Sequence, residues 1–321
     1  MRILGNLDNY LLFNDGHLTK QNWQAESWQV VVTDTNTEHS AYMVEITASS
    51  SEPSAGVGAS SDVAMPMFTV IVDGQQRLEV DWILRGHFIF HWIFKAGGKN
   101  RDDVVDSCDV ITVASGSSVT VLHEQQIGLN WQRDVHIAEG SRLIWYSWIA
   151  NNAVLDRLDL CMDACDSLFV ANIGQLFDDP GMIAKRDWRI IHQAPRTQSQ
   201  FKVKTVLAGG AQVDEHCLVV MQPLGVAAET QVYNHALLLD DRSKMQASPE
   251  LEVYCEEVNC RHGATSGHLD GASLFYLTSR GIDRSAATSL MISGFLAEVA
   301  APWHAQQLPL LGMSQTERLE Q

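Results

Sequence analysis

Three stretches of this chain read alike, and their spacing limits what it can fold into more than any other feature. They are Ala114-Ser115-Gly116-Ser117-Ser118-Val119-Thr120-Val121, Ala138-Glu139-Gly140-Ser141-Arg142-Leu143-Ile144-Trp145 and Asp163-Ala164-Cys165-Asp166-Ser167-Leu168-Phe169-Val170. Each runs a small-residue turn into a β-type segment, and the strand starts Val119, Leu143 and Leu168 recur every 24 or 25 residues. A unit of that length buries its apolar face only against its neighbours, which is the condition for a β-solenoid. An evenly spaced meander or sandwich satisfies the same pattern, so the spacing alone leaves both open.

The repeats sit in a long all-β stretch. From about Val63 to Cys260, short β runs are punctuated by Gly, Asp and Asn, with hardly any 3.6-residue periodicity. Ahead of it, Trp28–Thr33 and Tyr42–Thr47 read as strands, and Ala48–Ser61 is too poor in apolar residues to pack, as expected of a mobile linker. Beyond Asp270 the pattern turns helical. Ser273–Arg280 stops at Gly281, a residue suited to a helix C-terminus, and Asp283 can cap a second helix. In that second helix Ala287, Leu290, Met291, Gly294 and Phe295 form the expected apolar stripe, with Arg284 and Glu298 left to solvent. The predicted division is 1–61, a β-rich start and linker; 62–268, the β body; 269–300, a helical region; and 301–321, a polar tail.

Acidic residues number 39 against 22 basic ones, for a net charge of -17, which disfavours nucleic acid and anionic membrane surfaces as partners. No apolar run reaches the ~18 residues of a membrane span, and the first residues lack the pattern of a signal peptide, so a soluble cytoplasmic protein is expected. The six cysteines are too scattered for a disulfide framework and read as reduced thiols. None forms a C-x-x-C pair, which argues against a closed four-cysteine zinc or cluster site and a permanently bound cofactor of that kind.

Several residues could bear chemistry. His87 and His91 would share one face of a strand, and Cys161 and Cys165 lie among Asp159, Asp163 and Asp166, where solvated turn acids are the simpler reading. Gly97-Gly98-Lys99-Asn100 does not complete a phosphate-binding loop. If Val258–His262 is extended, Cys260 and His262 face the same way, about 6.6 Å apart along the strand. A thiolate and an imidazole so placed can converge on one metal or cluster edge. Each also has an ordinary reading, His262 as a hydrogen-bonded structural residue and Cys260 as a small buried hydrophobe. Cys255 shares a face with Leu251 and Val253 and reads as core.

The run Pro249–Gly267, which contains Cys255-Glu256-Glu257-Val258-Asn259-Cys260-Arg261-His262-Gly263-Ala264-Thr265, closely resembles the signature of the SufB/SufD family. So do the flanking segments Asn234-His235-Ala236-Leu237-Leu238-Leu239 and Leu274-Phe275-Tyr276-Leu277-Thr278-Ser279-Arg280-Gly281-Ile282. The resemblance implies a right-handed parallel β-helix followed by a helical C-terminal region, and the sandwich loses most of its weight. It also implies a non-enzymatic scaffold in iron-sulfur cluster assembly. A SufB-like subunit would pair with the β-helix, and a SufC-like ABC ATPase would dock on the helices from Ala272 to Ala300 or the strands beside them. A transient cluster would form at the subunit interface, with His262 opposite a cysteine of the SufB-like chain and Cys260 as its neighbour. Ser243, where SufB-type chains carry a cysteine, and His262-Gly263-Ala264-Thr265, where they read His-Glu-Ala-Thr, make the resemblance one to SufD. The β-rich start departs from the helical N-terminal region usual in SufD-like proteins. A SufD-like homodimer outside the usual complex and a carbohydrate-active β-helix enzyme are the alternatives.

Overall fold

Alternation of buried and exposed residues makes each repeat a pair of half-buried strands; in Gln212–Met221, Val213, Glu215, Cys217, Val219 and Met221 are buried while Gln212 and Asp214 are exposed. The computed structural model describes residues 10–14, 17–22, 28–36, 41–48, 67–73, 78–95, 104–150 and 154–306. The linker stretch after Ala48, Gly97–Asn100 and the chain after residue 306 lie outside the described residues.

The first strands are β1 (Tyr10–Asn14), β2 (His17–Asn22), β3 (Trp28–Asn36), β4 (Ala41–Ala48), β5 (Met67–Asp73), β6 (Leu78–Arg85) and β7 (His87–Lys95). Next come β8 (Val104–Val113), β9 (Ser118–Gln125), β10 (Gly128–Ile137), β11 (Arg142–Ala150), β12 (Val154–Met162) and β13 (Leu168–Phe177). Last are β14 (Ile183–His192), β15 (Gln198–Leu207), β16 (Gln212–Met221), β17 (Glu229–Leu238), β18 (Lys244–Val253) and β19 (Asn259–His268). Two helices follow, α1 (Gly271–Ser279) and α2 (Arg284–Ala305).

One sheet orders its strands β19-β17-β15-β13-β11-β9-β7-β5-β1-β2, the other β18-β16-β14-β12-β10-β8-β6-β4-β3. Each coil thus gives one strand to each sheet, and successive coils pair in parallel. This is a parallel β-helix, and the sandwich is excluded because sequential strands never pair as hairpins within the body. Antiparallel pairing occurs in β1–β2 and β3–β4, which end the two sheets at the N-terminal end of the stack.

The repeat is less regular than its sequence suggests. Val119 pairs with Leu143, but Leu143 pairs with Phe169, not Leu168. Burial sets this register: Val119, Leu143 and Phe169 all fill the interior, whereas Leu168 faces outward, and a one-residue slip would reverse every side chain. Later coils lengthen, with Leu168 paired to Gln198 and Gln198 to Glu229. What persists is the turn, where Gly116, Gly140, Asp166, Arg196, Ala227 and Glu257 all adopt φ between 56° and 68°. Only the first two are the glycines that such a backbone favours. A ladder of backbone hydrogen bonds from turn to turn, such as Arg196 N to Val226 O at 2.9 Å, holds the others in place.

The interior is aromatic at one level and ionic at the next. Trp92 packs against Trp82, Phe94 and Trp131 at ring separations of 5.0–5.4 Å. Below them, Asp109 accepts hydrogen bonds from Trp82 (3.0 Å), Ser107 (2.8 Å) and Trp131. Arg133 pairs with Asp156 and lies over the Trp131 ring at 4.1 Å. Arg186 then bridges Asp156 (3.2 Å) and Glu215 (2.6 Å), and Gln175 and Asn234 complete the bonds to Glu215. Arg133, Asp156, Arg186 and Glu215 alternate in sign along the axis, so each of these four meets an opposite charge. Burial pushes Asp109 up to about 6 and raises Glu215; burial also acts to raise Asp156, but Arg133 and Arg186 outweigh it and hold that carboxyl low.

Burial lowers His123 to about 3, with Arg133 adding to the effect, and lowers His192 to about 4. On unfolding both imidazoles regain an ordinary affinity for protons, so their contribution to stability is intact above pH 6.5 and is lost as pH falls toward 4 for His192 and toward 3 for His123. Compared with a His192→Gln variant, the wild-type chain should lose about 2 kcal/mol more between pH 7 and pH 5. Urea midpoints at both pH values measure the difference, and parallel losses would refute it.

Helix α1 starts at Asp270, whose carboxylate accepts from Ser273 N (2.9 Å), and ends ahead of Gly281 at φ 89°. Asp283 caps α2 through Ala286 N (2.9 Å), as expected from sequence. The buried face of α2 is Ala287, Ile292, Leu296, Val299, Ala300 and Trp303; of the expected stripe, Ala287 is enclosed and Phe295 packs half-buried on the same cluster, while Leu290, Met291 and Gly294 fall outside it. Leu290 is exposed, because α2 lies across the outer face of β11, β13 and β15 and meets Trp148, Leu176 and Val206 there. Glu298 is not left to solvent alone but pairs with Lys202 (2.5 Å) and Lys204 (3.0 Å). Gly174 admits this approach, since a Cβ there would lie 3.0 Å from the Trp148 ring and 3.1 Å from Val299. The helix also runs past the expected boundary at Ala300, anchored by Trp303, whose Nε1 donates to buried Glu124 at 2.8 Å.

Candidate functional site

A stack of coils has two ends, and they differ here. At the N-terminal end, antiparallel β2 and β3 are the last strands; at the other, β18 and β19 carry no further neighbour among the described residues. Side chains that would be interior in any earlier coil are therefore only half buried: Met245 and Leu251 of β18, Cys255 and Val258 of the turn, and Cys260 of β19.

Both residues singled out in the sequence lie in this last coil, on the inward-facing row. Cys260 stacks on Thr230 and His262 on Val232, two positions fully enclosed one coil below. Cys260 is half buried and His262 exposed. Burial, with the Cys255 thiol nearby, raises the Cys260 thiol above its usual range. Cys255 Sγ itself lies 3.6 Å from Gly225 O and packs on the core, as expected. Ser243 is committed to structure: its hydroxyl accepts from Gly210 N (3.2 Å) and lies 3.2 Å from Asp240 Oδ1, which also accepts from Ser243 N (2.9 Å).

The other candidates are not assembled into sites. His91 is buried, with Nε2 3.2 Å from Glu124 Oε1, the same oxygen that Trp303 of α2 reaches. Cys161 faces outward on β12, its thiol raised by burial and then by Asp163. Among the described residues, no three His, Cys, Asp or Glu side chains are grouped to hold a metal ion. No helix among them is long and apolar enough to cross a membrane.

The description that matches this chain is "SUF system FeS cluster assembly, SufBD core domain", over residues 100–295, more than half of its length. The chain belongs to the SufBD family. Among curated proteins, this SufBD chain is 32% identical over 96 residues to the iron-sulfur cluster assembly protein SufD of Escherichia coli (strain K12), covering 30% of the chain and 23% of that protein. It is 23% identical over 175 residues to an iron-sulfur cluster assembly SufBD family protein of Staphylococcus aureus (strain USA300), covering 52% of the chain and 38% of the relative. The chain thus spans well under half the length of these relatives. Within the SufBD family its likeness is to SufD.

Sequence reasoning missed the ionic ladder of the interior and the Trp303–Glu124 anchor. Arg133, Asp156, Arg186 and Glu215 lie about one coil apart in the chain, and no local pattern joins them. Their one signal was a lone charged residue at an inward position of an otherwise alternating strand, such as Arg186 between Ala184 and Trp188.

Proposed function

We propose that this chain is a scaffold subunit of iron-sulfur cluster assembly, acting as SufD-like proteins do: its last coil meets a SufB-like chain, and its helices dock a SufC-like ATPase. The observation that carries this reading is the open C-terminal end of the β-helix. Half-buried Met245, Leu251, Val258 and Cys260, together with two strand edges, call for another chain to cover them. Cys260 and His262 then contribute a thiolate and an imidazole to a transient cluster whose remaining ligands come from the partner. A shared ligand set lets the product leave when the interface moves, which four thiolates from one chain would resist. Exposed Phe275 and Tyr276 on α1 and Leu290 on α2 supply an apolar surface for the ATPase.

Anaerobic co-expression with SufB-like and SufC-like partners, followed by size analysis and visible absorption, tests the proposal. His262→Ala should abolish cluster absorption while the complex still elutes at wild-type size; Cys260→Ala should reduce it. Full assembly by His262→Ala would remove the site, and failure of both partners to co-elute would remove the scaffold role. The same open end on a second copy supports a homodimer as the second reading, which size analysis of the chain alone distinguishes.

A further inference from the structure

A cavity at the corner entering the odd-numbered sheet takes no part in the scaffold role. It is a solvent-open hollow of about 280 Å³ between Arg142, Asp166, Ser167, Leu168, Arg196 and Gln198. Asp166 and Arg196 occupy the same turn position in successive coils, and Arg196 Nε and Nη2 each donate to an Asp166 oxygen at 2.7 Å. Both Asp166 oxygens are thus engaged, while Arg196 retains further N–H groups. No hydrogen bond or ion pair holds the Arg142 side chain among the described residues. Gln198 adds an exposed amide, while Ser167 Oγ lies sealed behind the wall.

The wall is therefore rich in donors and poor in free acceptors. Two guanidinium groups face one carboxylate, a local reversal in a chain of net charge -17. Beyond Asp166, the Cys165 thiol and Glu139, two turns away, also act on Arg196, which leaves Arg142 as the guanidinium without a hydrogen-bonded carboxylate. Guanidinium forks match the oxygen spacing of phosphate, and donors arriving from several sides suit four tetrahedral oxygens better than the two of a planar carboxylate. We infer that this corner binds a tetrahedral oxyanion, free phosphate or a phosphate monoester, between Arg142 and Arg196.

Isothermal titration of the full chain with inorganic phosphate, glycerol phosphate and acetate at constant ionic strength tests the site. Phosphate should bind saturably with Kd below about 10 mM, and acetate at least about tenfold more weakly. Arg142→Gln should weaken phosphate about tenfold or more, Arg142→Lys less so, because an ammonium keeps the charge but not the fork. Arg85→Gln, which removes the same charge from the distant Arg85–Glu45 surface pair, should leave binding unchanged. Tighter binding of the monoester would assign the site to a phosphate carried on a larger molecule, and tighter inorganic phosphate to the free ion. The proposal is overturned if phosphate does not saturate, if acetate binds as well, or if Arg142→Gln behaves like Arg85→Gln.

Discussion

Replacing Arg133 by Met should destabilise the chain by about 3–5 kcal/mol, the cost of leaving a buried charge without its partner. Arg133 is enclosed with three tryptophans, its charge centre 4.1, 4.9 and 5.1 Å from the rings of Trp131, Trp145 and Trp188. Methionine fills much of that volume, so lost packing is minor and lost charge compensation dominates. Asp156 would keep Arg186 and the Trp188 indole but lose its closest cation. Arg196→Ala, at the exposed Arg196–Asp166 pair, should shift the urea midpoint far less despite equally good geometry, because water screens it. Urea denaturation of both variants makes the comparison. A loss below 1 kcal/mol for Arg133→Met would mean that the interior exchanges with solvent and that the ladder carries little of the fold's stability.

The second large effect belongs to Trp303. Truncation to alanine should cost about 3–5 kcal/mol, by analogy with other buried tryptophans, and should release the end of α2 from the sheet. The indole is fully buried, packs edge-on to Tyr146 at 6.4 Å, and donates to Glu124, which is itself enclosed between strands and helix. Trp303→Phe keeps most of the packing but leaves Glu124 one donor short, and should cost about 1–3 kcal/mol. Hydrogen exchange is the discriminating measurement, because Trp303→Ala should lower protection across the last turns of α2 while the strands β13–β17 keep theirs. Unchanged protection in α2 would place its anchoring elsewhere, in the Glu298 pair with Lys202 and Lys204.

How much could be read in advance depended on the range of the interaction. Asp270, Gly281 and Asp283 delimit the helices through bonds to residues within one turn of themselves, so their roles are legible from neighbours in the chain. The turn column is legible for the same reason, and strand alternation by itself puts Cys260 and His262 on one face. Register is not, since Phe169 takes the place assigned to Leu168 through contact with residues a whole coil away. The apolar face of α2 was misjudged because Leu290 and Ile292 are equally apolar, and only the position of the sheet selects between them.

From residues alone follow a stacked β architecture, the two capped helices and the motif that places the chain among SufBD proteins, because each is written in short-range geometry or in a contiguous run. Long-range packing alone settled the rest. The alternating ions of the interior, the anchoring of α2 on Glu124 and the exposure of the last coil depend on which strands become neighbours, and partners a coil or more apart leave no mark in any local window of sequence.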